Sequence, residues 1–147
     1  MQTAIERILL VDDDPDDAFL LGSALSELPV PIVLHSVDGC DELVAAARRF
    51  GPDLIFMDMN MPKKNGIECL ALLQANALSG VPVVMYSSAD GPELVHEAYA
   101  AGVSLFFRKP ASFDMLVNVL NDVLTLDWSD PAAIRARFAE SVVPSGL

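Results

Sequence analysis

The feature that most constrains this chain is how its short apolar runs end. Residues 54–57, Leu-Ile-Phe-Met, stop at one carboxylate, Asp58, with Asn60 and Pro62 just beyond. An apolar run of four or five residues between turn signals suits a strand buried on both faces of a parallel sheet. Four more runs follow the pattern. Residues 8–11 stop at Asp12-Asp13-Asp14-Pro15, 30–34 form a second run, 81–86 stop at Ser87-Ser88, and 103–107 lead to Lys109-Pro110.

Between the runs lie segments with helical spacing and helix punctuation. Asp14 is a cap with Pro15 at the first helical position of a helix reaching about Leu28, where Pro29 and Pro31 break it. Asp38 is expected to cap a helix ended by Gly51-Pro52. A third helix spans 67–76 after the polar loop Lys63-Lys64-Asn65-Gly66. Gly91-Pro92 opens a fourth that Gly102 closes, and Ser112 caps a fifth through Leu124. Strands alternating with helices imply a parallel sheet covered on both faces. The expected domain spans 5–126, and 127–147 is a C-terminal tail. In the tail Ser129-Asp130-Pro131 is a helix start, and 132–140 could form a short extra helix. No output domain is read from the sequence.

Composition narrows the function classes. The net charge of -12 over 147 residues argues against non-specific binding to nucleic acid or an anionic membrane surface. No apolar run nears the roughly 18 residues of a membrane span, and the start has no signal-peptide pattern, so a cytoplasmic location is expected. Cys40 and Cys69 form no C-x-x-C pair. A disulfide framework or zinc site is therefore not expected, and a reducing compartment fits.

Right-handed crossovers bring the carboxyl ends of the strands to one sheet edge. That edge collects Asp12, Asp13, Asp58, Ser87 and Lys109. Three carboxylates together repel one another unless a cation sits between them, and Mg²⁺ suits hard oxygen ligands. Asp58 is then placed to attack a phosphoryl donor in line, with Lys109 and Ser87 for the phosphoryl oxygens. His96-Glu97 is read as a solvated helix face, His35 as a strand-end residue, Trp128 as packing the tail on the body, and Arg135 and Arg137 as solvated.

Four motifs, I-L-L-V-D-D-D-P, D-L-I-F-M-D-M-N-M-P, P-V-V-M-Y-S-S-A and F-F-R-K-P, closely resemble those of the receiver domain of bacterial two-component response regulators. The resemblance covers about residues 7–126. It implies a flavodoxin-like, doubly wound five-stranded parallel sheet of order 2-1-3-4-5 with five helices. It implies Asp58 as phospho-acceptor, Asp13 as a direct Mg²⁺ ligand, Asp12 acting through metal-bound water, and the Asn60 carbonyl as a further ligand. Ser87 becomes the switch hydroxyl and Phe106 the switch aromatic, and the bond before Pro110 is expected to be cis. Departures are Phe106 in place of the commoner Tyr, Tyr86 before the switch Ser, and small Ala89, a position where receivers tune phosphate lifetime, as they do at Asn60.

The function so implied is a phosphorylation-dependent signalling switch rather than a metabolic enzyme, and phosphotransfer is self-catalysed. The donor is a sensor histidine kinase, and the K-K-N-G loop resembles stand-alone receivers that partner phytochrome-like kinases. Output would pass to an unknown downstream protein, a homodimer or a further phosphorelay step. Two other readings stand beside it. One is a phosphatase of the haloacid-dehalogenase type with Asp12 as nucleophile, weakened because Asp16 stands where Thr or Val belongs. The other is a receiver-fold binding module that never uses phosphate.

Overall fold

A computed structural model describes residues 4–143. Six parallel strands form one sheet in the order β2-β1-β3-β4-β5-β6. They are β1 (Arg7–Val11), β2 (Val33–Val37), β3 (Leu54–Asp58), β4 (Val83–Ser87), β5 (Leu105–Arg108) and β6 (Val142–Val143). Six helices connect them or follow: α1 (Pro15–Ser26), α2 (Cys40–Phe50), α3 (Gly66–Ala75), α4 (Pro92–Ala101), α5 (Phe113–Leu124) and α6 (Pro131–Phe138). The expected 2-1-3-4-5 order is present. The extra helix expected in the tail forms as α6, and only the short strand β6 was not expected, so the sheet has six strands among the described residues.

The two-residue strand period builds the core in two halves. Ile8, Leu10, Leu54, Phe56, Tyr86 and Phe107 face the side covered by α1 and α5. Leu9, Val11, Ile55, Met57, Met85 and Phe106 face α2, α3 and α4. β3 and β4 are buried at every residue, which is why they read as unbroken apolar runs.

Several boundaries move, each for a local reason. β2 begins at Val33 rather than Val30, because the Val33 N–H donates to the Glu6 carbonyl at 2.8 Å and opens the β1 ladder. As an edge strand it tolerates His35 and Ser36, so His35 lies mid-strand, not at its end, with its ring 5.5 Å from that of Phe50. The α2 cap is Gly39 rather than Asp38 and makes no side-chain cap. α3 starts at Gly66 because Asn65 and Glu68 form a reciprocal capping box, Asn65 Oδ1 accepting at 2.9 Å and Glu68 Oε1 at 3.0 Å. Asp14 and Ser112 cap α1 and α5 as expected.

The cysteine expectation is corrected. Cys40 and Cys69 are joined by a disulfide, with Cα atoms 5.2 Å apart across 29 residues of sequence. Spacing could not show this, because only packing of α2 beside α3 on one face of the sheet brings the two together.

The tail folds onto the sheet. Trp128, Ile134, Phe138 and Val143 are buried in the half of the core under α1 and α5, and Trp128 Nε1 donates to the Val123 carbonyl at 2.9 Å. β6 pairs with β5 through Phe106–Val142 and Phe107–Val143. Residues 144–147 of the expected tail lie outside the described residues. Among the described residues, no helix is long and apolar enough to cross a membrane.

Candidate functional site

β1 and β3 are neighbours in register, Val11 opposite Met57. The next residue of each chain, Asp12 and Asp58, therefore arrives at the same sheet edge. Carboxylate oxygens of Asp12, Asp13 and Asp58 all lie within 4.8 Å of one another. Asp12 and Asp58 are buried and Asp13 is exposed, so the cluster has two sheltered acids and one open to solvent.

Backbone N–H groups aim the two buried acids. Asp12 Oδ1 accepts from the Asp14 N–H at 2.9 Å and Asp58 Oδ1 from the Asn60 N–H at 3.3 Å. Close packing supports Asp58 from behind: a Cβ on Gly66 would stand 2.7 Å from the Asp58 carbonyl oxygen and 2.8 Å from Met85 Sδ. Gly66 is thus a residue of the site's frame that sequence reasoning left in a polar loop. Its signal was the lone Gly at the start of a helix beside a buried strand end.

Lys109 supplies the positive charge. Its Nζ lies 2.7 Å from Asp17 Oδ2, 3.5 Å from Asp12 Oδ2 and 3.6 Å from Asp58 Oδ1, and 4.9 Å from the centre of the Tyr86 ring. Asp17, in the first turn of α1, is the second member that sequence reasoning missed. Only the tertiary fold shows that α1 faces the end of β5.

The electrostatics follow from burial. Loss of water pushes the Asp12 carboxyl up to about 6, against the Asp14 N–H and Lys109, which favour its charged form. Burial likewise raises Asp58, again opposed by Lys109 and the Asn60 N–H. For Lys109, burial disfavours the ammonium, but the bond to Asp17 and the charges of Asp12 and Asp58 outweigh it and raise its pKa. One ammonium therefore does not neutralise this set of acids. Three oxygen donors of hard character, two of them buried, fit a divalent cation such as Mg²⁺.

Ser87 is fully buried at the end of β4, one residue beyond Tyr86, which is the register partner of Asp58. Its Oγ accepts from the Ala89 N–H at 3.1 Å. The Lys109 N–H donates to the Ser87 carbonyl at 2.9 Å, tying the two strand ends together. Phe106 lies fully buried in the core half under α2, α3 and α4 rather than at the edge. Asn60 is exposed beside Asp58. The structure so gathers Asp12, Asp13, Asp58 and Lys109 closely, holds Ser87 and Asn60 next to them, and sets Phe106 away in the core.

The model of the response regulator receiver domain matches residues 8–121. This chain belongs to that family. PilH of Pseudomonas aeruginosa is 33% identical over 119 residues, covering 80% of this chain and 97% of PilH. Other curated relatives are longer, and the chain spans 41% of one and 56% of another. Among solved structures, the phosphorylated cyanobacterial phytochrome response regulator RcpA superposes with a TM-score of 0.71 at 30% identity, covering 82% of this chain and 91% of that one. The Mn²⁺-bound response regulator Rcp1 gives 0.70 at 26%, covering 82% and 95%. A receiver carrying the Asp12, Asp13 and Asp58 pocket with Lys109 is built for a phospho-aspartate switch. The haloacid-dehalogenase reading falls with the family match.

Proposed function

We propose that this receiver takes a phosphoryl group onto Asp58 from the phospho-histidine of a sensor kinase. The observation that carries the reading is the meeting of Asp58 with Asp12, Asp13 and Lys109 at one strand-end edge. Asp58 acts as its carboxylate. One oxygen forms the bond to phosphorus as the P–N bond of the donor imidazole breaks, and the electron pair stays on that nitrogen. Asp12, Asp13, Asp58 and the Asn60 carbonyl are the residues that would hold Mg²⁺, which when bound neutralises charge on the phosphoryl oxygens. Lys109 takes one phosphoryl oxygen and the Ser87 hydroxyl another. Because Ser87 Oγ is engaged by the Ala89 N–H, its movement carries the loop after β4 with it. Phe106 is the aromatic that would respond, and the peptide before Pro110 is cis in this reading.

The domain proper is residues 5–126, and 127–147 is its tail. The likeness to RcpA and Rcp1 supports a phytochrome-type kinase as donor, and family membership supports a cytoplasmic site of action. Output passes to a downstream protein or to a second copy.

The test is incubation with acetyl phosphate and Mg²⁺, read by intact mass. One phosphoryl group is expected on the wild type and none on Asp58→Asn. Equal labelling of both proteins, or no labelling of the wild type, removes the proposal.

A further inference from the structure

Of the three carboxylates around the Lys109 ammonium, the nearest is neither the nucleophile nor a metal ligand. Asp17 Oδ2 lies at 2.7 Å, while Asp12 and Asp58 stand at 3.5 and 3.6 Å. Only the first is a full charge-assisted hydrogen bond, and the other two are long contacts. Lys109 is largely shielded, with 16% of its side chain exposed, and Asp17 has 25% exposed. Solvent therefore weakens the pair less than it would a surface ion pair. The contact also bridges two elements, the first turn of α1 and the end of β5.

We propose that Asp17 is a positioning residue that holds Lys109 against α1 in the unphosphorylated chain and so opposes the turn of the lysine toward a phosphoryl group on Asp58. The proposal rests on the phosphoryl-acceptor reading above and adds a regulator to it. A cation in the acidic pocket draws on Asp12 and Asp58, both of which already hold Lys109 loosely. It does nothing to the Asp17 bond. To place an N–H on a phosphoryl oxygen, the ammonium must lengthen that bond or share it. The grip of Asp17 then sets part of the balance between the resting and phosphorylated states. The Tyr86 ring, its centre 4.9 Å from the ammonium, adds to the contacts of the lysine in this resting position.

Beryllofluoride with Mg²⁺, a stand-in for the phosphoryl group, is titrated and followed by ¹⁹F NMR at sub-saturating concentrations. Asp17→Asn should tighten beryllofluoride binding about three- to tenfold, the weight of part of one charge-assisted hydrogen bond. Asp17→Glu, which can restore the pair, should stay within twofold of wild type. Asp16→Asn, a neighbouring charge with no contact to Lys109, controls for the loss of a negative charge and should also stay within twofold. In a Lys109→Ala background the effect of Asp17→Asn should fall below twofold. Unchanged or weaker binding by Asp17→Asn overturns the proposal. So does tightening that persists without Lys109, since Asp17 would then act by its field alone. If the wild type itself binds no beryllofluoride, the phosphoryl-acceptor reading fails and takes this one with it. If the wild type binds and the variants match it, only the role of Asp17 is lost.

Discussion

The carboxyl end of β5 and its flank show opposite ways of using a sheet. At its carboxyl end, Lys109 faces carboxylates from β1, α1 and β3. Two of those acids are buried and strained toward their neutral form, so this edge costs stability and gains chemistry. Along the flank of the same strand, the tail adds a sixth strand and buries Trp128, Ile134, Phe138 and Val143. Among the described residues this flank gathers no metal-binding set of acids, and it is held by apolar burial, the β5–β6 ladder and a few side-chain hydrogen bonds. α4 ties the tail to β5. The Tyr99 hydroxyl accepts from the Phe106 N–H at 3.0 Å and donates to the Ser141 carbonyl at 2.8 Å. Arg135 of the tail donates to the Tyr99 carbonyl, and His96 pairs with Glu140 at 2.7 Å. The difference teaches that the acidic edge is tuned by buried charge, while the tail stabilises the strand that carries Phe106.

The sharpest way to break this contrast is at the tail. Phe138 is almost fully buried, and Phe138→Ala should cost about 3–5 kcal/mol. Urea unfolding measures it, and phosphoryl uptake by the folded fraction should be unchanged. A loss under about 1 kcal/mol would mean that the tail is appended rather than part of the core.

The next test is at the acidic edge. The folded-state pKa of Asp12 is about 6, above its ordinary 3.8. The folded chain therefore holds more protons than the unfolded chain between those values, and stability falls as pH rises through this window. Without Mg²⁺ the protein should be more stable at pH 5 than at pH 7, by about 1 kcal/mol from this group, since most of the 3.8-to-6 window lies below pH 5. Saturating Mg²⁺ should stabilise more at pH 7 than at pH 5. Thermal melts at both pH values, with and without the ion, decide it. A pH-independent Mg²⁺ effect would contradict the burial argument. The smallest effect is at the link between β5 and the tail: Tyr99→Phe should cost about 1 kcal/mol, because the buried Phe106 N–H loses its acceptor. Equal stability would show that the bridge carries no weight.

Most of the switch edge was legible in the sequence. Asp12, Asp58 and Lys109 each end a short apolar run, and parallel βα units must bring such ends together. Asp17 was not, because it reads as one of several acids in a helix's first turn and its partner lies 92 residues away. Gly66 read as loop, although the approach of the Asp58 carbonyl excludes any side chain there. The Cys40–Cys69 bond and the start of β2 were misread for the same reason: both depend on neighbours in space. A helix was expected in the tail, but β6 was not, since two valines become a strand only where β5 offers an unpaired edge.

The sheet order came from the resemblance of four motifs to a known family; by itself the sequence determined the alternation of strands and helices and the acids and lysine at the carboxyl edge. Those follow from local period and from the handedness of crossovers, which act along the chain. The tertiary structure alone decided that Lys109 rests on Asp17, that Cys40 meets Cys69 and that the tail closes the sheet over Phe106. Each of these is a contact between segments far apart in the chain, made by packing, and no local pattern of residues encodes it.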